Sequence, residues 1–293
     1  MKAIFIGCVE SSVVFLRSLL LTTEVEIVGI VSKSKSDYNS DFVSLIPIAE
    51  ENNIDSLDYS KSKKSLAPWI AEKKVDIVYC LGWSHLLEGE VLDTPTFGVI
   101  GYHPTELPKN RGRHPIIWTL ALGLKETAST FFLMDAGADS GKILSQKRCE
   151  VLQNDDASSL YRRLVDIGSK QLVDLTHRVV SGTIEPVEQD HSKANYWRKR
   201  SKLDGQIDWR MSAINIYNLI RALSLPYCGA HFKHGDEDVI VWKSEVVLCA
   251  DENVEPGKVI ILDRDGFVIK CGSSAIRLTK IEKEITISVG DYL

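Results

Sequence analysis

The chain opens on an apolar run at residues 2–7 that ends in glycine, and blocks of two different periods alternate from there. Residues 25–31 and 75–81 are short, continuous and rich in β-branched side chains, as strands buried on both faces of a sheet should be. Residues 98–102 read the same way, and shorter strand-like runs cover 129–133 and 142–146. Between the strands, apolar residues fall at helical spacing over 11–21 (Val14, Leu16, Leu19, Leu20), over 47–53 and over 67–74. Proline at the start and glycine at the end predict a short helix over 115–123. The longest stripe, Leu160, Leu164, Ile167, Leu172, Leu175 and Val179, predicts a helix over 157–180. Asp155 or Asp156 would cap that helix and Gly182 would end it. Strands alternating with helices imply βαβ units, so residues 1–186 are read as an α/β, Rossmann-like domain with a mainly parallel sheet.

The pattern then changes. Residues 187–205 are polar, carry the basic run Arg198-Lys199-Arg200-Ser201-Lys202, and read as a linker. One helix is predicted over 211–223 from Ile216, Leu219, Ile220 and Leu223. Strand-like runs at 239–247, 258–262, 267–271 and 275–281 follow, separated by Gly, Asp and Asn. A small antiparallel barrel or sandwich over residues 206–293 would bury them. A length of 293 residues suits two such domains.

Charge narrows the partners. Against 35 Lys and Arg stand 40 Asp and Glu, a formal net charge of −5, which argues against a partner held mainly through its phosphates. No apolar run is long enough to span a bilayer, and the N-terminal segment lacks the pattern of a signal peptide. The cysteines (Cys8, Cys80, Cys149, Cys228, Cys249, Cys271) are scattered without a C-x-x-C pair, so neither a metal site nor a disulfide framework is expected. Free thiols in a reducing cytoplasm are the expectation.

Chemistry has three candidate places. The first strand ends in Gly7-Cys8-Val9-Glu10-Ser11-Ser12, which holds one glycine of a dinucleotide fingerprint, and no P-loop occurs. The loop 101–115 is denser: prolines, arginines and histidines directly follow a buried strand. There His103 is a candidate general base, since imidazole titrates near neutral pH, although a histidine beside proline is often only a turn residue. Two carboxylates, Asp135 and Asp139, sit in the glycine-containing turn 134–141. Ordinary turn chemistry explains them equally well, unless one reaches His103.

The run His103-Pro104-Thr105-Glu106-Leu107-Pro108-Lys109-Asn110-Arg111-Gly112-Arg113-His114-Pro115, followed by Trp118 and by Met134-Asp135-Ala136-Gly137-Ala138-Asp139-Ser140-Gly141, resembles the formyltransferases that use 10-formyltetrahydrofolate. Asp139 lies 36 residues after His103, the spacing of the family signature N-x-H-x-S-L-L-P … D-[TS]-G. Asp204-Gly205-Gln206-Ile207-Asp208-Trp209 and Ile220-Arg221-Ala222 with Pro226-Tyr227 resemble the runs that open the family's C-terminal domain. The resemblance covers nearly the whole chain. It implies an OB-like β-barrel for the second domain, a cytoplasmic enzyme that is often dimeric, and formyl transfer from the folate to a primary amine. It also implies His103 as acid/base, Asp139 orienting and tuning it, and folate contacts on Gly82, Trp83, His85, Leu86, Leu87, Arg113 and the turn Asp135, Ala136, Gly137, Ala138, Asp139.

One departure stands out. Where the family has an oxyanion-binding Asn, two residues before the His, this chain has Gly101. Losing one oxyanion donor costs about a hundred- to a thousandfold in rate. Protonated His103 or a water could hold the oxyanion, Asn110 could reach back, or the chain could bind its ligands and turn over poorly. Thr105 and Glu106 in place of S-L are a lesser departure. Members of the family formylate methionyl-tRNA, glycinamide ribonucleotide or nucleotide-linked amino sugars. Binding of tRNA calls for a basic insertion after the second strand, but residues 32–41 hold two lysines, two aspartates and no arginine. Gly82-Trp83-Ser84 is similar to the sugar-nucleotide enzymes, so the expected acceptor is a UDP- or dTDP-linked amino-deoxysugar, with methionyl-tRNA as the alternative.

Overall fold

A computed structural model of the chain describes residues 1–36, 40–62 and 65–293. Of the polar stretch 32–44 expected to be a loop, residues 37–39 lie outside the described residues. In chain order the elements begin with β1 (Lys2–Ile6), α1 (Glu10–Leu20), β2 (Glu26–Ser32), α2 (Ile46–Glu51), β3 (Ser56–Asp58), α3 (Leu66–Lys73) and β4 (Ile77–Cys80). They continue with α4 (Gly89–Asp93), β5 (Gly98–His103), β6 (Arg111–Gly112), α5 (Pro115–Ala121), β7 (Glu126–Leu133), β8 (Ile143–Glu150) and α6 (Ala157–Val180). The last part holds β9 (Tyr196–Trp197), α7 (Ala213–Ala222), β10 (Ala230–His234), β11 (Glu237–Val247), β12 (Val259–Asp263), β13 (Gly266–Lys270) and β14 (Ala275–Ile281). The chain divides into two compact units. The first is Met1–Pro115, Glu126–Cys149 and Arg162–Trp197; the second is Ile116–Lys125, Glu150–Tyr161 and Arg198–Leu293.

In the first unit seven strands form one sheet in the order β3-β2-β1-β4-β5-β7-β8. β1, β2, β3, β4 and β5 pair in parallel, whereas β7 runs antiparallel to β5. Alternation along the strands sorts their side chains to two faces. On one, Ile4, Ile6, Val78, Cys80 and Val99 form a core with Leu66 and Ile70 of α3 and Val91 of α4. On the other, Phe15 of α1 stacks edge-on against Tyr102 (5.0 Å between ring centroids) and Phe131 (5.9 Å). The C-terminal part of α6 closes that face. The Tyr79 hydroxyl meets the Thr176 hydroxyl at 2.9 Å, and the Tyr102 hydroxyl donates to the Leu164 carbonyl at 3.3 Å. Burial pushes both phenols up, Tyr79 to about 12.

The first strand's glycine serves packing. A Cβ on Gly7 would lie 2.5 Å from the Leu81 carbonyl oxygen and 2.6 Å from Ser12 Oγ, and the Ser12 hydroxyl donates to that carbonyl at 2.7 Å. α1 is thereby fastened to the end of β4 at the sheet's switch point, where strand order reverses between β1 and β4.

In the second unit five antiparallel strands form one sheet, β10-β11-β14-β13-β12, and α7 packs on it through Ile216, Leu219 and Ile220. The buried Arg221 guanidinium donates to the carbonyls of Leu152, Gln153 and Asp155, fixing the chain that enters α6. Asp156 caps α6: its carboxylate accepts from the Ser159 N–H at 2.9 Å, and the Ser159 hydroxyl accepts from the Asp156 N–H. The basic run is occupied within this unit. Arg198 bonds the Asp204 carboxylate, which is held well below its ordinary range chiefly by that contact, and Lys202 pairs with Asp238. Arg200 lies over the Trp118 ring at 4.6 Å and Arg198 at 5.4 Å, while the Trp118 indole N–H donates to the Arg198 carbonyl.

Among the described residues no helix is long and apolar enough to cross a membrane, and no group of three or more His, Cys, Asp or Glu could hold a metal. None of the six cysteines forms a disulfide among the described residues, and burial pushes the Cys8 thiol up to about 11.

Two outcomes follow for stability. Phe15→Ala should cost about 3–5 kcal/mol in urea unfolding, because it empties the centre of the aromatic face. The buried His231 in β10 titrates below its ordinary value, mainly through burial, with Lys202 and Lys233 adding and Asp238 opposing. The folded chain therefore binds fewer protons than the unfolded one below the unfolded histidine value of about 6.5. Stability should fall as pH drops below that value, and His231→Gln should flatten the fall in thermal midpoint measured across it.

Candidate active site

β5 carries Gly101 and His103 on the face opposite Tyr102, and His103 ends the strand, 5 % exposed. Its two ring nitrogens meet different partners. Nε2 lies 2.8 Å from the Asn110 carbonyl oxygen. A carbonyl only accepts, so Nε2 carries the proton and Nδ1 presents a lone pair. Nδ1 faces Asp139 Oδ2 at 3.6 Å. Of the two carboxylates in the turn after β7, Asp139 is therefore the one that reaches the histidine. Asp135 folds onto its own turn, accepting from the Gly137 N–H at 2.9 Å and the Ser140 hydroxyl at 2.7 Å.

Asp139 sits in the left-handed region (φ 55°), an uncommon conformation for a residue with a Cβ, and its surroundings hold it there. Oδ2 accepts from the Gly112 N–H at 2.8 Å. The aim of that N–H comes from β6, which pairs in parallel with β9. Arg111 and Arg113 donate their N–H groups to the Asn195 and Trp197 carbonyls, so the N–H of Gly112 between them points the other way. Glycine is required at 112: its φ is +104° and a Cβ would run into the Trp197 carbonyl. Residues 187–197, read from sequence as the start of a linker, are thus built into the first unit beside this loop.

Gly101 is tightly covered. It pairs across strands with Phe132, and a Cβ added to it would lie 2.9 Å from Phe132 Cζ and 2.9 Å from Met134 Cγ. The volume an Asn side chain would need is thus held by an aromatic ring and a thioether. Asn110 comes close to His103 through its backbone carbonyl. Thr105 is buried and its hydroxyl donates to the Lys109 carbonyl, while Glu106 pairs with Arg148 at 3.1 Å.

The other candidate residues adjoin this centre. The Arg113 guanidinium donates to the Ser84 carbonyl at 3.0 Å, tying the loop after β5 to the loop after β4. There Gly82 takes a positive φ of 78°, and Trp83 and His85 stack edge to face at 5.6 Å. Leu87 is half-buried, Leu86 is 70 % exposed, and Ala136, Gly137 and Ala138 form the exposed tip of the turn. Sequence reasoning missed Lys33 and Tyr59. Lys33 Nζ donates to His85 Nε2 at 2.6 Å and lies 5.1 Å from the Trp83 ring; Tyr59 meets Trp83 at 5.0 Å, its phenol pushed up by burial and by Glu88. These residues follow the ends of different strands, and the parallel order β3-β2-β1-β4 in the sheet reveals their proximity.

Comparison with known proteins places the chain in a family. Residues 15–176 match the model of the formyl transferase domain, and residues 199–292 match that of the formyl transferase C-terminal domain. The chain belongs to the formyl transferase family. The relatives of this formyltransferase include the methionyl-tRNA formyltransferase of Clostridium novyi, 32% identical over 96% of this chain and 92% of the relative. Another is the methionyl-tRNA formyltransferase of Caldanaerobacter subterraneus subsp. tengcongensis, 29% identical over 100% of this chain and 96% of the relative. Among solved structures, WlaRD, a sugar 3N-formyl transferase crystallised with dTDP and 5-N-formyl-THF, superposes with a TM-score of 0.72 at 19% identity, covering 97% of this chain and 99% of its own. The Helicobacter canadensis N-formyltransferase, in complex with folinic acid and dTDP-3-aminofucose, gives 0.70 at 18% identity, covering 95% of this chain and 99% of its own.

The covering of Gly101 has a measurable consequence. Gly101→Asn alone should destabilise the formyltransferase by about 1–3 kcal/mol, the usual cost of overpacking. Pairing it with Met134→Ala should recover part of that loss, read as the midpoint shift in urea unfolding of the single and double variants.

Proposed function

We propose that this formyltransferase moves a formyl group from 10-formyltetrahydrofolate to the primary amine of a nucleotide-linked amino-deoxysugar. The observation that carries the chemistry is the pairing of His103 with Asp139, together with the backbone carbonyl that fixes the ring's tautomer. In the transfer, a C–N bond forms between the acceptor amine and the formyl carbon, the bond from that carbon to the folate nitrogen breaks, and one proton passes from the amine to the departing nitrogen. His103 takes that proton and returns it, a role supported by its contacts with Asp139 and the Asn110 carbonyl. Asp139, 3.6 Å away, stabilises the imidazolium while the proton is held. Because Gly101 contributes no side-chain donor, protonated His103 is also the group that steadies negative charge on the formyl oxygen.

The loop after β4 fits a flat, polar-edged ring such as a pterin. The Trp83 indole Nε1 is buried with no hydrogen-bond partner among the described residues, and it neighbours the Ser84 peptide held by Arg113. Folate would be held by this loop, by Arg113 and by the turn bearing Asp139. The sugar-nucleotide reading rests on charge. The chain carries a net −5, and the basic run at 198–202 has Arg198, Arg200 and Lys202 engaged with Asp204, Asp238 and Trp118. A diphosphate needs few donors, whereas tRNA needs a broad basic face. A second reading, methionyl-tRNA as acceptor, is favoured by the full-length relatives that bear that name.

Purified protein incubated with 10-formyltetrahydrofolate and a panel of UDP- and dTDP-linked amino sugars should yield one product heavier by a formyl group in mass spectrometry. His103→Ala should lower its rate by about a hundredfold to ten-thousandfold. Formylation of charged initiator tRNA, with no sugar modified, would replace the first acceptor by the second.

A further inference from the structure

Among the described residues Arg111 is 1 % exposed and the bulkiest of the fully buried side chains, yet its guanidinium bonds none of their carboxylates. Nε and Nη2 donate to a single oxygen, Gln189 Oε1, at 3.2 and 2.6 Å. Nη1 donates to the Tyr196 hydroxyl at 2.8 Å, and Nη2 also approaches His191 Nδ1 at 3.2 Å. Gln189 is itself buried, 5 % exposed. Because a guanidinium has only donors, it dictates which way the Gln189 amide faces: Oε1 toward Arg111, and Nε2 away from it. Nε2 then donates to two carbonyls of the turn, Asp139 at 3.0 Å and Gly141 at 2.6 Å.

We propose that Gln189 is a positioning residue for formyl transfer, its amide oriented by Arg111 so that it clamps the backbone of Asp139 and presents that carboxylate to His103. The inference rests on the assignment of His103 and Asp139 as the reacting pair. Its logic is one of donors and acceptors. Asp139 holds an unfavourable backbone conformation, and Gln189 meets its carbonyl while the N–H of Gly112 meets its carboxylate. Both supports derive from the 187–197 segment, one directly and one through β9. The side chain at 189 must offer an acceptor on one side and a donor on the other. An amide does both in one plane. A carboxylate of the same shape satisfies Arg111 better, but turns an acceptor against two carbonyl oxygens.

Gln189→Glu therefore separates positioning from stability. The variant gains an ion pair with Arg111, so its thermal midpoint should hold or rise, while kcat should fall by about tenfold to a hundredfold with KM for both substrates little changed. Gln189→Leu, which loses both contacts, should lower kcat and the midpoint together. The decisive measurement is the double-variant cycle with Asp139→Asn. If Gln189 acts through Asp139, Gln189→Glu should cost almost nothing further in that background. A kcat for Gln189→Glu equal to the parent's, or an undiminished loss in the Asp139→Asn background, overturns the proposal. Asp139→Asn with full kcat overturns instead the assignment of the reacting pair on which it rests.

Discussion

Everything at the candidate site depends on the way β5 is paired. Its neighbour β4 runs parallel to it and its neighbour β7 antiparallel, with Gly101 opposite Phe132 and His103 opposite Thr130. Antiparallel pairing ends β7 beside the start of β5, with Leu133 opposite Ile100, and the turn 134–141 that follows folds back along the His103 face of β5. Met134 consequently packs at Gly101, and Asp139 arrives at His103. The opposite face of β5 is locked by Tyr102 within its aromatic group, so register has no freedom to slip. A slip of one residue would exchange Tyr102 for His103 in that core and strand an imidazole among aromatic rings. Site geometry and core packing are therefore two consequences of one alternation.

Where periodicity was strong, the sequence was legible. The buried strands, α1, α3 and α6 lie within a residue or two of their expected bounds, because continuous β-branched runs and long helical stripes respond to burial alone. Spacing alone left His103 and Asp139 open; the family resemblance paired them, and the two side chains lie 3.6 Å apart. β3, β6, β9 and α4 were not expected; each is five residues or fewer, too short to show a period, and β6 and β9 exist because they pair with each other. The segment 187–197 illustrates the limit most clearly. Polar composition suggested a linker, but Gln189, Asn195 and Tyr196 bond the loop of Asn110 and Arg111 and the turn of Asp139, and Gln189 does so buried. Composition cannot distinguish those two reasons. A buried arginine at 111, flanked by glycine in a loop, was the available signal that some polar stretch elsewhere must cover it.

The basic run teaches the same lesson in reverse. Read alone, Arg198 to Lys202 is as much a solvated linker as a patch that could meet phosphate. In the folded second unit its charges are answered by Asp204 and Asp238, and Trp118 takes the guanidinium of Arg200 on its face. The aspartate of the D-G-x-I-D-W run is thus a structural anchor. It also accepts the Ser201 N–H, closing the short 3-10 turn at Lys202–Gly205. Long-range attraction for a polyanion depends on charge left unanswered, and this run leaves little of it.

The same accounting explains why a neutral side chain stands between Arg111 and the turn of Asp139. A guanidinium buried this deeply needs acceptors, and the nearest carboxylate on the turn would be the simplest one. Had Arg111 paired with Asp139 directly, the carboxylate would be committed to a permanent cation and its interaction with His103 weakened. Gln189 satisfies the guanidinium with an amide oxygen and passes only a hydrogen bond to the turn. Asp139 Oδ2 then meets the Gly112 N–H and His103 Nδ1. A peptide N–H carries no net charge, so in the proposed transfer the proton taken up by His103 brings a full positive charge to this oxygen. In the proposed arrangement the arginine orients the amide, and the amide keeps the guanidinium one side chain away from the Asp139–His103 pair.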